Sequence, residues 1–211
     1  MKQSHRLNNI GLINRDKLIT FEFNGKEYQG YEGDTLASAL LANGVHLVGR
    51  SFKYHRPRGF IGAGVDEPNA KLQVNINGHS EPNINATEIE LVDGLSATSQ
   101  NCWPSVEFDI GAINNFLKRF FPAGFYYKTF MWPKSFWMKI YEPFIRKAAG
   151  MGVAPLQPDP DRYEHNYEHC DVLVVGSGPS GLASALAAAK NGARVILAED
   201  KANFGGSLLT D

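Results

Sequence analysis

The chain has 211 residues, of which 43% are apolar and 20% charged, a composition that excludes intrinsic disorder and allows one or two globular domains. Its formal net charge of -1 gives no overall attraction to nucleic acid or to an anionic membrane. Its two cysteines, Cys102 and Cys170, form no CxxC pair, so they exclude a disulfide framework and a four-cysteine zinc or iron–sulfur site.

Residues 1–16 are predicted to form an N-terminal tail. This segment lacks the continuous apolar stretch followed by small residues that a secretory signal needs. Elsewhere, no run approaches the roughly 20 apolar residues of a membrane-spanning helix. The sequence therefore predicts a cytoplasmic protein that does not enter the membrane.

Residues 17–105 are predicted to form an α+β domain that opens with a β-hairpin. Two alternating strands in LITFEFNGKEYQGYEGDTL are joined by Asn24-Gly25, a dipeptide that accepts the positive φ angles of a tight turn. Asp34 or Thr35 can cap the N-terminus of the helix LASALLANG, and the final glycine of that stretch ends the helix. Strand, turn, strand and helix in this order predict a β-grasp fold.

Two further strands are predicted in the same domain. The first is KLQVNING, with a turn at Asn77-Gly78, and the second is ATEIELVDG. In the second strand we expect Ile89 and Leu91 to face the core, with Val92 as a further candidate. The domain is expected to close near Cys102.

Residues 106–150 are predicted to form an aromatic-rich helical connector. Half of the aromatic residues of the chain fall between 116 and 144, including the run PAGFYYKTFMWP. Pro122, Pro133 and Pro143 should divide the segment into short helices or turns. Packing within the segment or against a neighbouring domain is the favoured role of these rings, and lipid or ligand binding is the alternative.

Residues 151–168 are predicted to form an extended linker, because they contain three prolines and several charges. His165 and His169 are spaced i, i+4, which would suit a metal on a helix. They lie in polar sequence without a third ligand, so we predict a solvated loop and no metal site.

Residues 169–211 are predicted to form an incomplete Rossmann-type dinucleotide-binding domain. An apolar strand leads into the turn GSGPSG at 176–181, then into an alanine-rich helix and a second strand. Gly176 would let the chain turn sharply, Gly178 would leave room for a pyrophosphate, and Gly181 would let the helix pack closely on the sheet.

The same segment predicts how a dinucleotide is held. The unpaired N–H groups and the positive dipole end of the helix favour the phosphates without a lysine. Glu199, at the tip of the second strand, can accept hydrogen bonds from the adenosine ribose, a choice that disfavours a 2′-phosphate. The segment 204–207 resembles a turn that returns a loop over the pyrophosphate. This fingerprint suits NAD and FAD alike, and a glycine turn without any nucleotide is the remaining alternative.

Several longer stretches are more specific than the glycine fingerprint, and they run from about Phe21 to Leu209. They are GDTLASALLANG, RSFKYHRPRG, EPNA, SQNCWPS, PAGFYYKTFMWP, YEPFIRKAAGMG and VVGSGPSGL with FGGSLL. Together they resemble the N-terminal part of the alpha subunit of heterotetrameric sarcosine oxidase. That resemblance implies a β-grasp domain shaped like a 2Fe-2S ferredoxin, then an NAD-binding domain and a folate-binding domain further on.

The resemblance also implies a reaction and its partners. The complex would oxidise sarcosine with oxygen to glycine, formaldehyde or methylene-tetrahydrofolate, and hydrogen peroxide. Its beta, gamma and delta subunits would be partners of this chain, and the wider complex would hold FAD, FMN and tetrahydrofolate. The amine-oxidising residues would belong to another subunit, so no catalytic residue is predicted here.

The resemblance places NAD contacts at Ser180 in the turn, at Asp200 and Lys201 beside the ribose, and near Ser207. With the residues derived from the fingerprint, the predicted cofactor site is Gly176, Ser177, Gly178, Pro179, Ser180, Gly181, Glu199, Asp200, Lys201, Gly206 and Ser207. In ferredoxins the helix after the hairpin leads into a cysteine-rich loop. The equivalent stretch here, VHLVGRSFKYHRPRGFIGAG, has no cysteine, so we expect a cluster-free domain.

A basic loop at 50–58 carries the largest local positive charge, at Arg50, Lys53, His55, Arg56 and Arg58. A structural or subunit-contact role is the favoured interpretation, contact with a flavin or another phosphate comes second, and nucleic acid is disfavoured because the cluster is small.

Members of this family should continue several hundred residues past Asp211, so we expect a fragment, a truncated product or a split subunit. Alone, it is expected to be inactive and to bind nucleotide weakly or not at all, because one βαβ unit lacks the later strands of the crevice. The alternatives are a non-catalytic assembly module and an FAD-binding subunit of a related amine or opine dehydrogenase.

Overall fold

A computed structural model describes residues 3–8, 10–121, 123–124, 130–159, 161–201 and 203–209. The chain divides into two compact units, Met1–Asp159 and Pro160–Asp211, and the division falls inside the predicted linker. Part of the aromatic run, residues 122 and 125–129, lies outside the described residues. Within the described part of the chain, no helix combines the length and the apolarity needed to cross a bilayer.

The first unit opens with the predicted β-hairpin, formed by β1 (Asn14–Phe23) and β2 (Lys26–Glu32). The turn residues Asn24 and Gly25 have φ angles of 50° and 76°, which confirms the predicted tight turn. β1 begins inside the segment predicted to be a tail. Earlier in that segment the Arg6 guanidinium forms two hydrogen bonds with the buried Asp34 carboxylate, so the predicted tail is anchored to the domain.

The predicted helix is α1 (Leu36–Ala42), and Thr35 is its N-cap. The Thr35 hydroxyl accepts a hydrogen bond from Ser38 N at 3.2 Å. Asp34 instead accepts hydrogen bonds from Tyr31 N and from the Ser38 hydroxyl, so it joins the hairpin to the start of the helix.

Three more strands complete a mixed sheet with α1 packed against it: β5 (Lys71–Ile76), β6 (His79–Asn85) and β7 (Ser96–Ser99). The strand order is β2-β1-β7-β5-β6, with β1 and β7 parallel and the other pairs antiparallel. The predicted strand KLQVNING is therefore confirmed as β5, with the turn that leads into β6. The core combines apolar residues of α1, the strands and the turns around them: Ile19, Phe21, Phe23, Leu36, Ala37, Ala39, Leu40, Val48, Ala70, Leu72, Val74, Ala86, Leu91, Leu95 and Ala97.

The predicted strand ATEIELVDG is wrong. Residues 86–94 form turns, and the only pairing in this segment is an isolated bridge between Thr35 and Glu90. Carbonyl groups of this segment instead accept hydrogen bonds from the first N–H groups of α1. Ala37 N donates to Ala86 O, and Leu36 N donates to Ile89 O. Leu91 is buried as expected, whereas Val92 is exposed.

The basic loop lies between two short strands, β3 (Gly49–Arg50) and β4 (Pro57–Arg58), which pair with each other. The connector then forms 3₁₀ turns at Ile110–Asn115 and Lys118–Phe120. A π-helical segment, Trp137–Tyr141, runs directly into α2 (Glu142–Ala149). Pro143 therefore does not divide the segment as predicted: it stands at the junction where the π-helical segment passes into α2.

The second unit is a βαβ unit. Its elements are β8 (Val172–Val175), α3 (Pro179–Lys190) and β9 (Val195–Ala198). The two strands are parallel and pair from Val172 with Val195 to Val175 with Ala198, which confirms the predicted strand, helix and strand. A 3₁₀ turn at Gly206–Leu209 follows.

Candidate dinucleotide-binding turn

The glycine turn connects β8 to α3, as its sequence predicts. Gly176 has a φ of 95°, which only glycine adopts without strain, and its N–H donates to Ala198 O at 2.8 Å. This bond ties the turn to the end of β9. Gly178 is the N-cap of α3, and Pro179 and Ser180 begin the helix.

Gly178 and Gly181 have different environments. A Cβ atom built on Gly181 would overlap the Gly176 carbonyl oxygen and approach the Val174 side chain at 3.4 Å, so this glycine permits the close packing of α3 on β8. A Cβ atom on Gly178 would meet nothing within 4 Å. The space beside Gly178 is open, as a site for a pyrophosphate requires.

The first turn of α3 offers hydrogen-bond donors to that space. The first helical bond runs from Leu182 N to Gly178 O, so the N–H groups of Ser180 and Gly181 have no partner within the helix. Pro179 has no N–H. The turn can therefore attract an anion through two backbone amides and the positive end of the helix dipole.

The Glu199 carboxylate points at the turn. One oxygen, Oε2, accepts hydrogen bonds from Ser177 N at 2.6 Å and from the Ser177 hydroxyl. The other, Oε1, accepts from the backbone N–H of Asp200 at 2.9 Å and of Lys201 at 3.1 Å. The hydrogen bonds from the Ser177 side chain and backbone, and then those from Asp200 and Lys201, lower the pKa of Glu199 to about 2.

These contacts give Glu199 a role that the sequence did not predict. Its four acceptor positions are all filled by protein donors, and Ser177 is fully buried beneath it. Glu199 therefore fixes the conformation of the turn, and a ribose hydroxyl would have to share or replace one of these bonds. Asp200 and Lys201 contribute backbone N–H groups, and their side chains are exposed.

The loop after β9 returns to the glycine turn. Gly205 N donates to both Ser177 O at 3.1 Å and the Ser177 hydroxyl at 3.2 Å. A Cβ atom on Gly206 would lie 2.9 Å from the Gly178 Cα, so this close approach requires glycine. Thus the structure brings together the turn at 176–181, Glu199 and residues 205–206, with Ser207 in the 3₁₀ turn that follows.

The loop after α1 does not have the ligands of an iron–sulfur cluster. A [2Fe–2S] cluster is normally held by four cysteines, but the chain has only two, and they lie in different units. Among the residues that the structure describes, no group of three histidine, cysteine or acidic side chains could hold a metal ion. Burial raises the pKa of the Cys102 thiol, which disfavours the thiolate that a metal would need.

Hydrogen bonds hold this loop instead. The buried Glu67 carboxylate accepts from Ile61 N, Gly62 N and Asn69 N, each at 2.7 Å, and from Ala70 N at 3.3 Å. Burial opposes ionisation of Glu67, yet these four bonds outweigh it and lower its pKa.

The basic loop is fixed by its own charged residues. The Arg50 guanidinium donates to the carbonyls of His55, Val106 and Glu107, and His55 Nδ1 lies 2.6 Å from the Asp109 carboxylate. The predicted structural role of the basic loop therefore holds for Arg50 and His55.

Comparison with known proteins matches both units to described families. Residues 16–102 match the 2Fe-2S iron-sulfur cluster binding domain family, and residues 171–210 match the FAD dependent oxidoreductase family. The sarcosine oxidase alpha subunit of Rhizobium meliloti (strain 1021) is 59% identical over 208 residues, which cover 99% of this chain. The chain is related over nearly its whole length to sarcosine oxidase alpha subunits.

A second alpha subunit, from Corynebacterium sp. (strain U-96), is 34% identical over 93% of the chain. The chain spans 21% of the Rhizobium protein and 16% of the Corynebacterium protein. L-proline dehydrogenase from P. horikoshii aligns with 98% of this chain and 28% of its own, at 22% identity and a TM-score of 0.46. The two alpha subunits confirm the predicted resemblance, while the 2Fe-2S description does not fit the residues present.

Proposed function

We propose that this chain supplies the dinucleotide-binding turn and a docking surface of a sarcosine oxidase-like complex. The complex would oxidise sarcosine with oxygen to glycine, formaldehyde or methylene-tetrahydrofolate, and hydrogen peroxide. The identity of 59% with a sarcosine oxidase alpha subunit, over 99% of this chain, is the observation that carries this proposal. The amine would be oxidised elsewhere in the complex, because the predicted site on this chain consists of a cofactor-binding turn.

NAD is the dinucleotide that we propose for the glycine turn. The amides of Ser180 and Gly181 would hold its diphosphate beside Gly178, and Gly206 would close the loop over it. The acidic Glu199 at the end of β9 disfavours a 2′-phosphate and so favours NAD over NADP. NAD or FAD, when bound, supplies hydride-transfer chemistry, and the residues of the turn bind and orient it.

FAD is the alternative dinucleotide, and the match of residues 171–210 to an FAD dependent oxidoreductase family favours it specifically. In that case the chain would be the FAD-binding subunit of a related amine or opine dehydrogenase. Both proposals use the same glycine turn, so analysis of the bound nucleotide separates them.

The connector supports a docking role. Phe116 is 85% exposed and Trp132 is 82% exposed, and Phe120, Met138 and Phe144 are also largely exposed. Exposed apolar side chains in such number are typical of an interaction surface. We propose that the flavin-bearing beta subunit covers this surface, and that gamma and delta subunits complete the complex with FMN, FAD and tetrahydrofolate. If the turn binds no nucleotide, the same surface would make the chain a non-catalytic assembly module.

The proposal is tested by isolating the complex from the source cells through a tag on this chain. We expect several co-purifying subunits, bound NAD and flavins, and hydrogen peroxide production that depends on sarcosine. Co-purification with FAD and without NAD would support the dehydrogenase alternative. A preparation that retains partner subunits but binds no nucleotide would support the assembly module, and one without sarcosine-dependent peroxide would contradict the proposed reaction.

A further inference from the structure

A cationic cleft of about 210 Å³ lies in the first unit, whereas the glycine turn belongs to the second. Arg50 and Arg58 from the basic loop line it together with Lys71 at the start of β5. None of the described residues that line the cleft is acidic. The Arg50 guanidinium itself is held by carbonyls outside this lining, so Arg58 and Lys71 are the two positive charges available to the cleft, and its described lining contains no carboxylate.

The three cations have only neutral partners in the described part of the chain. The Arg50 guanidinium donates to backbone carbonyls of residues that do not line the cleft. Lys71 Nζ donates to the Asn85 side-chain oxygen at 2.8 Å. Arg58 makes only a long contact of 3.5 Å with the Pro57 carbonyl. Carbonyl and amide oxygens satisfy hydrogen bonds but do not neutralise charge, so the cleft keeps a positive potential.

Two neutral groups and one ring add to the recognition surface. Ser51 Oγ accepts a hydrogen bond from Arg56 N, which leaves its O–H free to donate, and the Asn69 amide also lines the cleft. Phe52, another lining residue, is 59% exposed. An exposed ring beside convergent donors offers an apolar surface to the organic part of a ligand.

We propose that this cleft binds the phosphate group of a small phosphorylated molecule. A phosphate dianion offers several acceptor oxygens and enough charge to offset more than one cation, and the arginine fork matches its geometry. A single carboxylate would offset only one of the two charges of Arg58 and Lys71. The cleft is smaller than the roughly 300 Å³ of common ligand pockets, so it suits the phosphate, with the rest of the ligand against Phe52.

The proposal is tested by titrating inorganic phosphate into the chain at constant ionic strength and following backbone amide chemical shifts. We expect saturable shifts at Ser51 and Asn69. Arg58→Gln should weaken this binding at least about tenfold, since charged hydrogen bonds are lost. Arg119→Gln, which removes an exposed arginine outside the cleft, is the matched control and should leave the affinity unchanged. Lys71→Gln provides a second variant if Arg58→Gln does not fold.

Three results would overturn the proposal. The first is the absence of saturable shifts at Ser51 and Asn69. The second is equal affinity of the Arg58→Gln and control proteins, which would assign the phosphate to another site such as the glycine turn. The third is displacement of phosphate by an equal concentration of acetate, which would identify the cleft as a carboxylate contact for another polypeptide.

Discussion

Glu67 holds the loop that follows α1 in the first unit. Its carboxylate joins four backbone amides of the loop that follows α1, and it is almost completely buried. These contacts depend on how the loop between Ile61 and Ala70 folds around the carboxylate.

Replacing Glu67 should therefore destabilise the first unit. In Glu67→Gln, an amide NH₂ group would face backbone N–H donors, and at least one of them would lose its acceptor. We expect a loss of about 2–4 kcal/mol in the free energy of unfolding, measured by urea denaturation. Glu27→Gln, at an exposed position of β2, is the control and should change it by less than about 0.5 kcal/mol. Equal stability of the two variants would contradict the role given to Glu67.

Glu199 allows a prediction about pH. Its pKa is lowered from 4.5 to about 2 in the folded protein, so its contribution to stability is complete above pH 4.5 and is lost as the pH falls towards 2. Carbon-13 NMR of the carboxylate should show titration near the lower value. Ser177→Ala should raise the pKa, because it removes the hydroxyl that donates to Glu199. A wild-type pKa close to 4.5 would contradict the observed contacts.

At the level of elements, the βαβ unit was predicted from its apolar strands around the glycine turn, although no residue of its strands or helix is fully buried. Apolar periodicity predicted the hairpin, α1 and β5, whose buried faces consist of apolar residues. It failed for β7, whose sequence SATS contains no such alternation although the strand lies in the middle of the sheet. It also failed at residues 86–94, which form turns whose carbonyl groups accept hydrogen bonds from the first N–H groups of α1. The structure of β7 depends on its position in the middle of the sheet, and that of residues 86–94 on backbone contacts with α1. A local sequence pattern contains neither kind of information.

Only the local part of the candidate site could be predicted from the sequence, because its other contacts are long-range. The glycine spacing predicted the turn between β8 and α3, because Gly176 is needed for a positive φ angle and Gly181 for close packing of the helix on the strand. Ser177 donates hydrogen bonds to Glu199 and accepts them from Gly205, which join segments more than 20 residues apart, and the glycine spacing gave no indication of these bonds.

The two glycines of the turn should respond differently to alanine. Gly181→Ala places a methyl group against the Gly176 carbonyl, so we expect a loss of about 1–3 kcal/mol in stability. Gly178→Ala points into open space and should cost less than about 1 kcal/mol. Thermal unfolding followed by circular dichroism compares the two proteins. A larger loss for Gly178→Ala would contradict the described packing of α3 on β8.

At the level of the whole molecule, the exposed connector should determine assembly. Phe116→Ser and Phe144→Ser replace exposed rings, so the chain should keep its stability while the co-purified partner subunits decrease several-fold. Leu12→Ser, at an exposed apolar position outside both the connector and the basic loop, is the control. Pull-down through a tag on this chain, with quantification of each subunit, measures the effect. Undiminished partner recovery with both connector variants would argue against this surface as the docking site.

In the assembled protein, the open space beside Gly178 should hold the diphosphate of a dinucleotide. The most direct measurement is the nucleotide content of the complex isolated with the wild-type chain and with Gly178→Val, whose side chain would fill that space. We expect about one NAD per wild-type chain and almost none with the variant, with partner subunits retained in both. Equal dinucleotide content in the two complexes, or none in the wild type, would contradict this role of Gly178.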